Sequence, residues 1–469
     1  MTTLRGTTRT PVGARLRYAL TGLVILLLCV DAGVSAGTRG FDSGTLLRVG
    51  LVLGALLAVV WAGRFEFFVL AVLVVRPILD IAKVGGGLPV LSSGIAGLVV
   101  LGVLFWLAAQ VHAGTMRPMS VLSRLSLLLL AVMTVSALLA DDRVRDLLQV
   151  ARLAAAVAVL LAVEQFAVDR PARRRVLIAC YASALVPMVV GVQQQLSGTY
   201  LKESNGLGRV TGTFLHPNAY GFYLVLLLTM GAAVFRYLHG AAKFLVGVVL
   251  VGGTVELLLT YSRGSWIAVI AGVLVVGALQ ARKLLLLIPL GLVLLPLAVP
   301  SILTRLSDLS QTETINGTAG NSLLWRVGHW QEILSEARGH ELLGLGPSAS
   351  DYLGQEVLPP HNDFVRMYIE TGVLGTVVYV AVLVAAVVMS VRVLRTLPDR
   401  GPGRGVAVGG VACTVAFVVD SIGGNLISEV VVLIYFFAFL GLVSSLAPER
   451  ALRRPGAHLA AEPALEDAR

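Results

Sequence analysis

The feature that most constrains this chain is a repeated one: runs of about 18 or more apolar residues, beginning with Tyr18 to Val34 and recurring to the end of the sequence. Each is long enough, as a helix, to cross a hydrocarbon core of about 30 Å. The runs are continuous rather than alternating, which implies helices and not the strands of a barrel. Across the 469 residues the hydrophobic fraction is 57% and the charged fraction 14%, whereas about a quarter of a soluble domain is charged. The sequence therefore specifies an all-α, polytopic integral membrane protein.

Further spans are expected near 45–62, 65–82, 93–111, 121–140, 147–166, 176–196, 217–236, 242–261, 265–281 and 283–300, and then near 364–391, 406–422 and 428–447. That makes about 12 to 14 transmembrane helices. The first run follows Arg5, Arg9, Arg15 and Arg17 and has the outline of a signal peptide; with spans continuing to the carboxyl end it is read as a retained helix. With the amino terminus placed in the cytoplasm, the loops holding Arg170, Arg173, Arg174 and Arg175, then Arg236 and Lys243, then Arg282 and Lys283, then Arg392, Arg395, Arg400 and Arg404 all fall inside. This is the asymmetry an inner-membrane protein shows, and both termini are expected in the cytoplasm.

The chain divides on this reading into N-terminal helices (1–196), central helices carrying two arginine loops (197–300), one large extracytoplasmic loop (301–362), C-terminal helices (363–447) and a disordered cytoplasmic tail (448–469). The large loop is far longer than an ordinary connection, and such loops are functional or disordered. Leu323, Leu324, Val327, Trp330, Ile333 and Leu334 recur in it at helical spacing, which predicts an amphipathic helix on the membrane surface. Gly344-Leu345-Gly346-Pro347 then predicts a sharp turn.

The net charge of +10 is spread over short loops; with no basic domain, nucleic acid is not an expected partner. Cys29, Cys180 and Cys413 sit inside apolar runs without ligand spacing, so neither a disulfide scaffold nor a cysteine metal site is expected. No cofactor is implied.

Polar residues on the outer side carry the chemical interest. Arg209 lies in Gly208-Arg209-Val210-Thr211-Gly212, and Arg263 in Ser262-Arg263-Gly264-Ser265, on the face the positive-inside rule disfavours for arginine. Glycine lets a ligand approach the backbone, and two guanidinium forks suit a diphosphate. Snorkelling to lipid headgroups is the bland alternative. His361 follows Pro359-Pro360, with Asn362 or Asp363 placed to cap the next helix. An exposed or lightly perturbed histidine there is neutral at working pH and accepts a proton. Glu370 is a candidate partner two turns on, or a packed structural element. His216, before Pro217-Asn218, reads as a helix-entry residue rather than a second base. Asp141-Asp142 reads as a local salt bridge with Arg143 and Arg145, since D-x-D spacing is absent, and Arg76 and Asp80 read as an intrahelical pair.

The stretch GRVTGTFLHPNAYG (208–221), the Ser262-Arg263-Gly264-Ser265 break, and the outer loop running through Leu343-Gly344-Leu345-Gly346-Pro347 to His361-Asn362 and Glu370-Thr371-Gly372 together resemble the O-antigen ligase and O-antigen polymerase superfamily. The resemblance covers roughly residues 205–380. It implies a metal-independent membrane glycosyltransferase of the GT-C type, passing a glycan from a polyprenyl-pyrophosphate carrier to an acceptor hydroxyl outside the cytoplasmic membrane. It further implies Arg209 and Arg263 as diphosphate ligands and His361 as base. Ligase and polymerase share these motifs, so a lipid core, another repeat unit, a wall polymer or a protein remain open as acceptor. A transporter or flippase of polyprenyl-linked glycan is the rival class, kept in view by Glu164 and Glu256 within spans.

Overall fold

A computed structural model describes residues 64–79, 89–204, 207–286, 322–354 and 358–447. The spans expected at 18–34, 45–62 and most of 283–300, together with Cys29, Asp80 and the tail, lie outside the described residues. Within them the chain is helical: α1 (Phe65–Val75), α2 (Pro89–His112), α3 (Val121–Leu139), α4 (Arg143–Phe166), α5 (Arg170–Ala182), α6 (Leu185–Ser197), α7 (Pro217–Val234), α8 (Gly240–Leu259), α9 (Arg263–Leu279), α10 (Ser322–Glu336), α11 (Asp363–Thr396), α12 (Pro402–Ser421) and α13 (Val430–Ser444). Seven helical segments among the described residues are long and apolar enough to cross a membrane, and four shorter apolar helices accompany them.

The sequence reading left no strand. The structure adds a two-stranded antiparallel ribbon, β1 (Lys202–Ser204) with β2 (Leu207–Arg209), in which Lys202 faces Arg209. Three-residue strands lie below the length at which alternation is visible in a sequence.

Burial sorts the helices. All fifteen residues of α13 are buried, as are nearly all of α7. A helix apolar on every side belongs inside a bundle, and α13 packs on α4, α7 and α12 while α12 also packs on α7, α9 and α11. The outer helices leave Leu104, Phe105, Val189, Phe244 and Val251 exposed, as a lipid-facing surface requires. Tyr223 and Tyr435 meet edge-on at 4.9 Å in the centre.

Buried carboxylates tie neighbouring helices together. Glu164 accepts from the Ser120 N–H (2.7 Å) and hydroxyl (3.0 Å) and from the Ser123 hydroxyl, fixing the start of α3. Glu256 accepts from the Tyr220 hydroxyl, joining α8 to α7. Asp142 caps α4 by accepting from the Arg145 N–H (3.2 Å), a cap where a salt bridge was expected, and the Arg145 guanidinium lies over the Tyr352 ring instead.

One helix is deliberately broken. Gly372, inside α11, has φ 65° and ψ −165°, which only glycine adopts readily. The break frees backbone groups that the incoming loop satisfies: Leu345 and Gly346 donate to the carbonyls of Ile369 (2.9 Å) and Glu370 (3.1 Å), while Val373 and Leu374 donate to those of Glu341 (2.7 Å) and Leu342 (3.3 Å). The expected turn at 344–347 is present, with φ 70° at Gly344 and 117° at Gly346, and it is bolted to α4 through Asp146, which accepts from the Ser348 N–H at 2.9 Å.

Candidate functional site

The polar ends of α7, α11 and the α12–α13 connection meet around a cavity of about 200 Å³. His216, Asn218, Asp351, Pro359, His361, Arg366, Asn425, Ser428 and Glu429 line it. His361 and His216, forecast from separate stretches of sequence, thus share one cavity.

His361 is placed by its neighbours. The preceding prolines lack N–H groups and are disfavoured within a helix interior, and α10 grips this segment by its carbonyls. Trp330 Nε1 donates to the Pro360 carbonyl (2.6 Å), and His329 Nε2 lies 2.9 Å from the Leu358 carbonyl; a carbonyl only accepts, so that nitrogen carries the proton. The amphipathic helix forecast from spacing is therefore α10, and its apolar face packs on the protein: buried Ile333 meets Ile369, Val365 and Leu345. His361 itself has φ 51°, and Tyr261, two residues before Arg263, has φ 50°. Among the described residues these are the two non-glycine positions with positive φ, and both adjoin forecast site residues. Such strain, of order 1–3 kcal/mol, persists where the surroundings over-determine the backbone.

Asn362 caps α11, its Oδ1 accepting from the N–H groups of Phe364 (2.9 Å) and Val365 (3.1 Å). His216 caps α7 through Nδ1, which accepts from the Asn218 N–H at 3.1 Å, the helix-entry role expected of it. Glu370 is not turned to His361. Its carboxylate meets Arg366 at 3.0 Å and the Ser350 hydroxyl at 2.6 Å, and Arg366, fully buried, also pairs with Asp351 at 2.9 Å. Glu370 is thus the packed structural element of the two roles weighed for it, positioning an arginine of the cavity wall.

Arg209 is buried and held in plane: its Nε donates to the Thr260 carbonyl and an Nη to Asn218 Oδ1, both at 2.8 Å. Asn218 lines the cavity, so Arg209 reaches it through one side chain. Arg263 opens α9 half-buried, three residues beyond that Thr260. The two arginine loops are thus joined by a direct hydrogen bond. The glycines beside them leave room for the protein's own side chains, not for a ligand: a Cβ at Gly208 would stand 2.1 Å from the Tyr200 ring, and one at Gly264 2.9 Å from Asp420 Oδ1.

Burial and cationic neighbours set the histidines. Desolvation first, then the charge of Arg326, lowers His361 to about 3. Desolvation, then Arg209, lowers His216 to about 4. His361 is therefore neutral across the physiological range, though far more perturbed than an exposed loop histidine. Arg326, on α10, is itself depressed by burial and sits 3.4 Å from where a Cβ at Gly423 would be.

Asn425 escaped the sequence reading, and Asp363, read there as a possible cap, has another role. Asn425 places Nδ2 3.1 Å from His361 Nδ1, and Asp363 accepts from the Ser421 hydroxyl (2.8 Å) and the Ile427 N–H (3.2 Å), locking the α12–α13 connection against α11. For Asn425 the one available signal was the Gly423-Gly424-Asn425 interruption between two spans. Among the described residues no cluster of His, Cys, Asp and Glu is arranged to hold a metal ion.

Fold and site together define a multi-pass α-helical membrane protein with a histidine-and-arginine cavity at one end of its bundle. Residues 245–380, the stretch that holds α9, the outer loop and the start of α11, match the family model described as O-antigen ligase, in line with the resemblance carried by the sequence motifs. The matched segment holds Arg263 and His361; Arg209 and Asn425 lie outside it. No curated protein matches the chain.

Proposed function

We propose that this protein is a GT-C-type glycosyltransferase that moves a glycan from a polyprenyl-pyrophosphate carrier to an acceptor hydroxyl at the outer face of the cytoplasmic membrane. The observation that carries the reading is the single cavity in which a neutral, strained His361 faces the Asn218 that Arg209 holds. A polyprenyl diphosphate is already a good leaving group, so two tasks remain. His361 takes the proton of the acceptor hydroxyl. Arg209 and Arg263 bind the diphosphate and stabilise the charge that grows on it as the anomeric C–O bond breaks. The acceptor oxygen attacks the face opposite the leaving diphosphate, so one displacement inverts the anomeric centre. The donor is a lipid-linked glycan and the acceptor a glycan, lipid or wall polymer.

The test is reconstitution with a polyprenyl-pyrophosphate oligosaccharide and candidate acceptors, comparing the intact protein with His361→Ala, Arg209→Ala and Arg263→Ala. Loss of about a hundredfold or more in transfer is expected for His361→Ala, and a raised donor KM for the arginine variants. Folded variants that all keep full transfer would sink the reading, as would product with retained anomeric configuration. The transporter alternative predicts glycan crossing proteoliposomes with no new glycosidic bond; of the two glutamates that favour it, Glu164 accepts from Ser120 and Ser123 and Glu256 from Tyr220.

A further inference from the structure

The connection between α12 and α13 brings one amide to the candidate base. Asn425 is buried, and its Nδ2 lies 3.1 Å from His361 Nδ1, while its Oδ1 is buried with no hydrogen-bond partner among the described residues. Its position is tightly determined. Asp363 ties Ser421 and Ile427 to α11 on either side of it, and the neighbouring Gly424 is pressed so close to Phe222 that a Cβ there would stand 2.6 Å from the ring.

A buried acceptor left without a donor calls for a reason. An amide carries a donor edge and an acceptor edge of nearly the same shape, and a half-turn of its plane exchanges them without moving the side chain. With Nδ2 toward the ring, Nδ1 must accept, the imidazole proton sits on Nε2, and neither nitrogen is available to take a proton. With Oδ1 toward the ring, Nδ1–H donates to it and the Nε2 lone pair is released. The second arrangement gives the oxygen its donor and leaves Nδ2 in the position Oδ1 now holds, so the choice between the two is decided by which tautomer the base needs and not by a gain in hydrogen bonds.

We propose that Asn425 is the positioning residue of His361: its Oδ1 accepts from Nδ1–H and so holds the imidazole in the tautomer whose Nε2 receives the acceptor hydroxyl's proton. This rests on the reading of His361 as base. In the step itself the acceptor O–H bond breaks toward Nε2, the new C–O bond forms, and the bond to the diphosphate breaks with its electron pair leaving on the carrier. The ring then carries protons on both nitrogens, and the Nδ1–H bond to Asn425 strengthens because its donor has become cationic. The other charged or titratable groups around the ring are Arg326 and His329 on α10, His216 before α7, Arg366 on α11, Asp351 ahead of it and Glu429 before α13; the two guanidinium groups are matched by two carboxylates, and an oriented acceptor at Nδ1 acts on the imidazolium directly.

Two substitutions test the assignment in the reconstituted, full-length protein. Asn425→Leu keeps the volume and removes both edges; kcat is expected to fall about a hundredfold with donor KM unchanged. Asn425→Asp keeps only an acceptor; transfer is expected to survive within about tenfold of the parent, with the acidic limb of the kcat profile moved to higher pH because a carboxylate stabilises the imidazolium. Should Asn425→Asp have an unshifted acidic limb, or be inactive at every pH while folded, the assignment is wrong. An Asn425→Leu enzyme with the parent's kcat overturns it too. His361→Gln separates the two readings. If it remains active, His361 is not the base and both fall; if it is inactive while the Asn425 variants keep the parent's profile, the role of Asn425 alone is refuted.

Discussion

At the scale of single residues, the cavity solves a problem that its composition creates. A histidine held near a pKa of about 3 by desolvation and by Arg326 is always in its proton-accepting form but is a weak base. On the proposed reading, a diphosphate bound by Arg209 and Arg263 brings negative charge near the ring, which favours the imidazolium and strengthens the base once donor is bound. The sign can be followed in kinetics. A base works when unprotonated, so its depressed pKa leaves kcat/KM for the donor flat from about pH 8 down to about pH 5, while the acidic limb of kcat, which reports the donor complex, lies at higher pH. A kcat/KM limb at the ordinary histidine value of about 6.5, lost in His361→Gln, would show that the ring is not desolvated in the working enzyme.

At the scale of elements, the site depends on two devices that carry no reacting atom. The first is the strap from α10. Trp330→Phe keeps the ring and deletes the N–H to the Pro360 carbonyl; losing such a bond and leaving a carbonyl unpaired costs about 1–3 kcal/mol. Since what it loosens is the approach to His361, kcat is expected to fall about tenfold with donor KM little changed, read from the same transfer assay. The second is the break at Gly372. An alanine there would keep φ 65° and set its Cβ 2.3 Å from the Leu342 carbonyl carbon, so the clash adds to a strain of about 1–3 kcal/mol. Gly372→Ala is expected to lower the thermal midpoint in detergent and the yield of folded protein; a variant with the parent's midpoint would mean that the loop over α11 is not fixed as described. These elements show what was legible. The period of Trp330, Ile333 and Leu334 disclosed a helix, and the glycines a turn, because both are local signals. What the apolar face packs on, and which carbonyl an indole reaches, are set by residues such as Ile369 and Pro360 some thirty positions away, and no local pattern encodes them.

At the scale of the whole molecule, the two ends of the bundle differ in kind. α7 and α11 begin at the cavity with His216 and Asn362; at their far ends Arg170, Arg173, Arg174 and Arg404 gather around Tyr237 and Pro398. That separation was readable in the sequence because loop charge is a one-dimensional signal. The closing of the cavity by Asn425 was not, since it is a polar exception between apolar runs and its meaning comes from what it faces. The same separation concentrates an acid weakness at one end. His361 and His216 titrate near 3 and 4 in the folded protein, against about 6.5 in an unfolded chain. Above about 6.5 both are neutral in either state and add no slope; as pH falls from there toward 4, the unfolded chain binds two protons that the folded one refuses, so stability drops. Thermal midpoints of the detergent-solubilised protein are therefore expected to fall across that window. Carboxylates contribute to acid lability as well, so the decisive comparison is the double variant His216→Asn and His361→Gln, which retains a capping side chain before α7. Its midpoint is expected to fall less steeply between about pH 6.5 and pH 4 than the parent's. Identical slopes would mean that the two rings exchange protons freely with solvent, and the cavity would then be open water rather than the desolvated pocket that proton transfer at His361 requires.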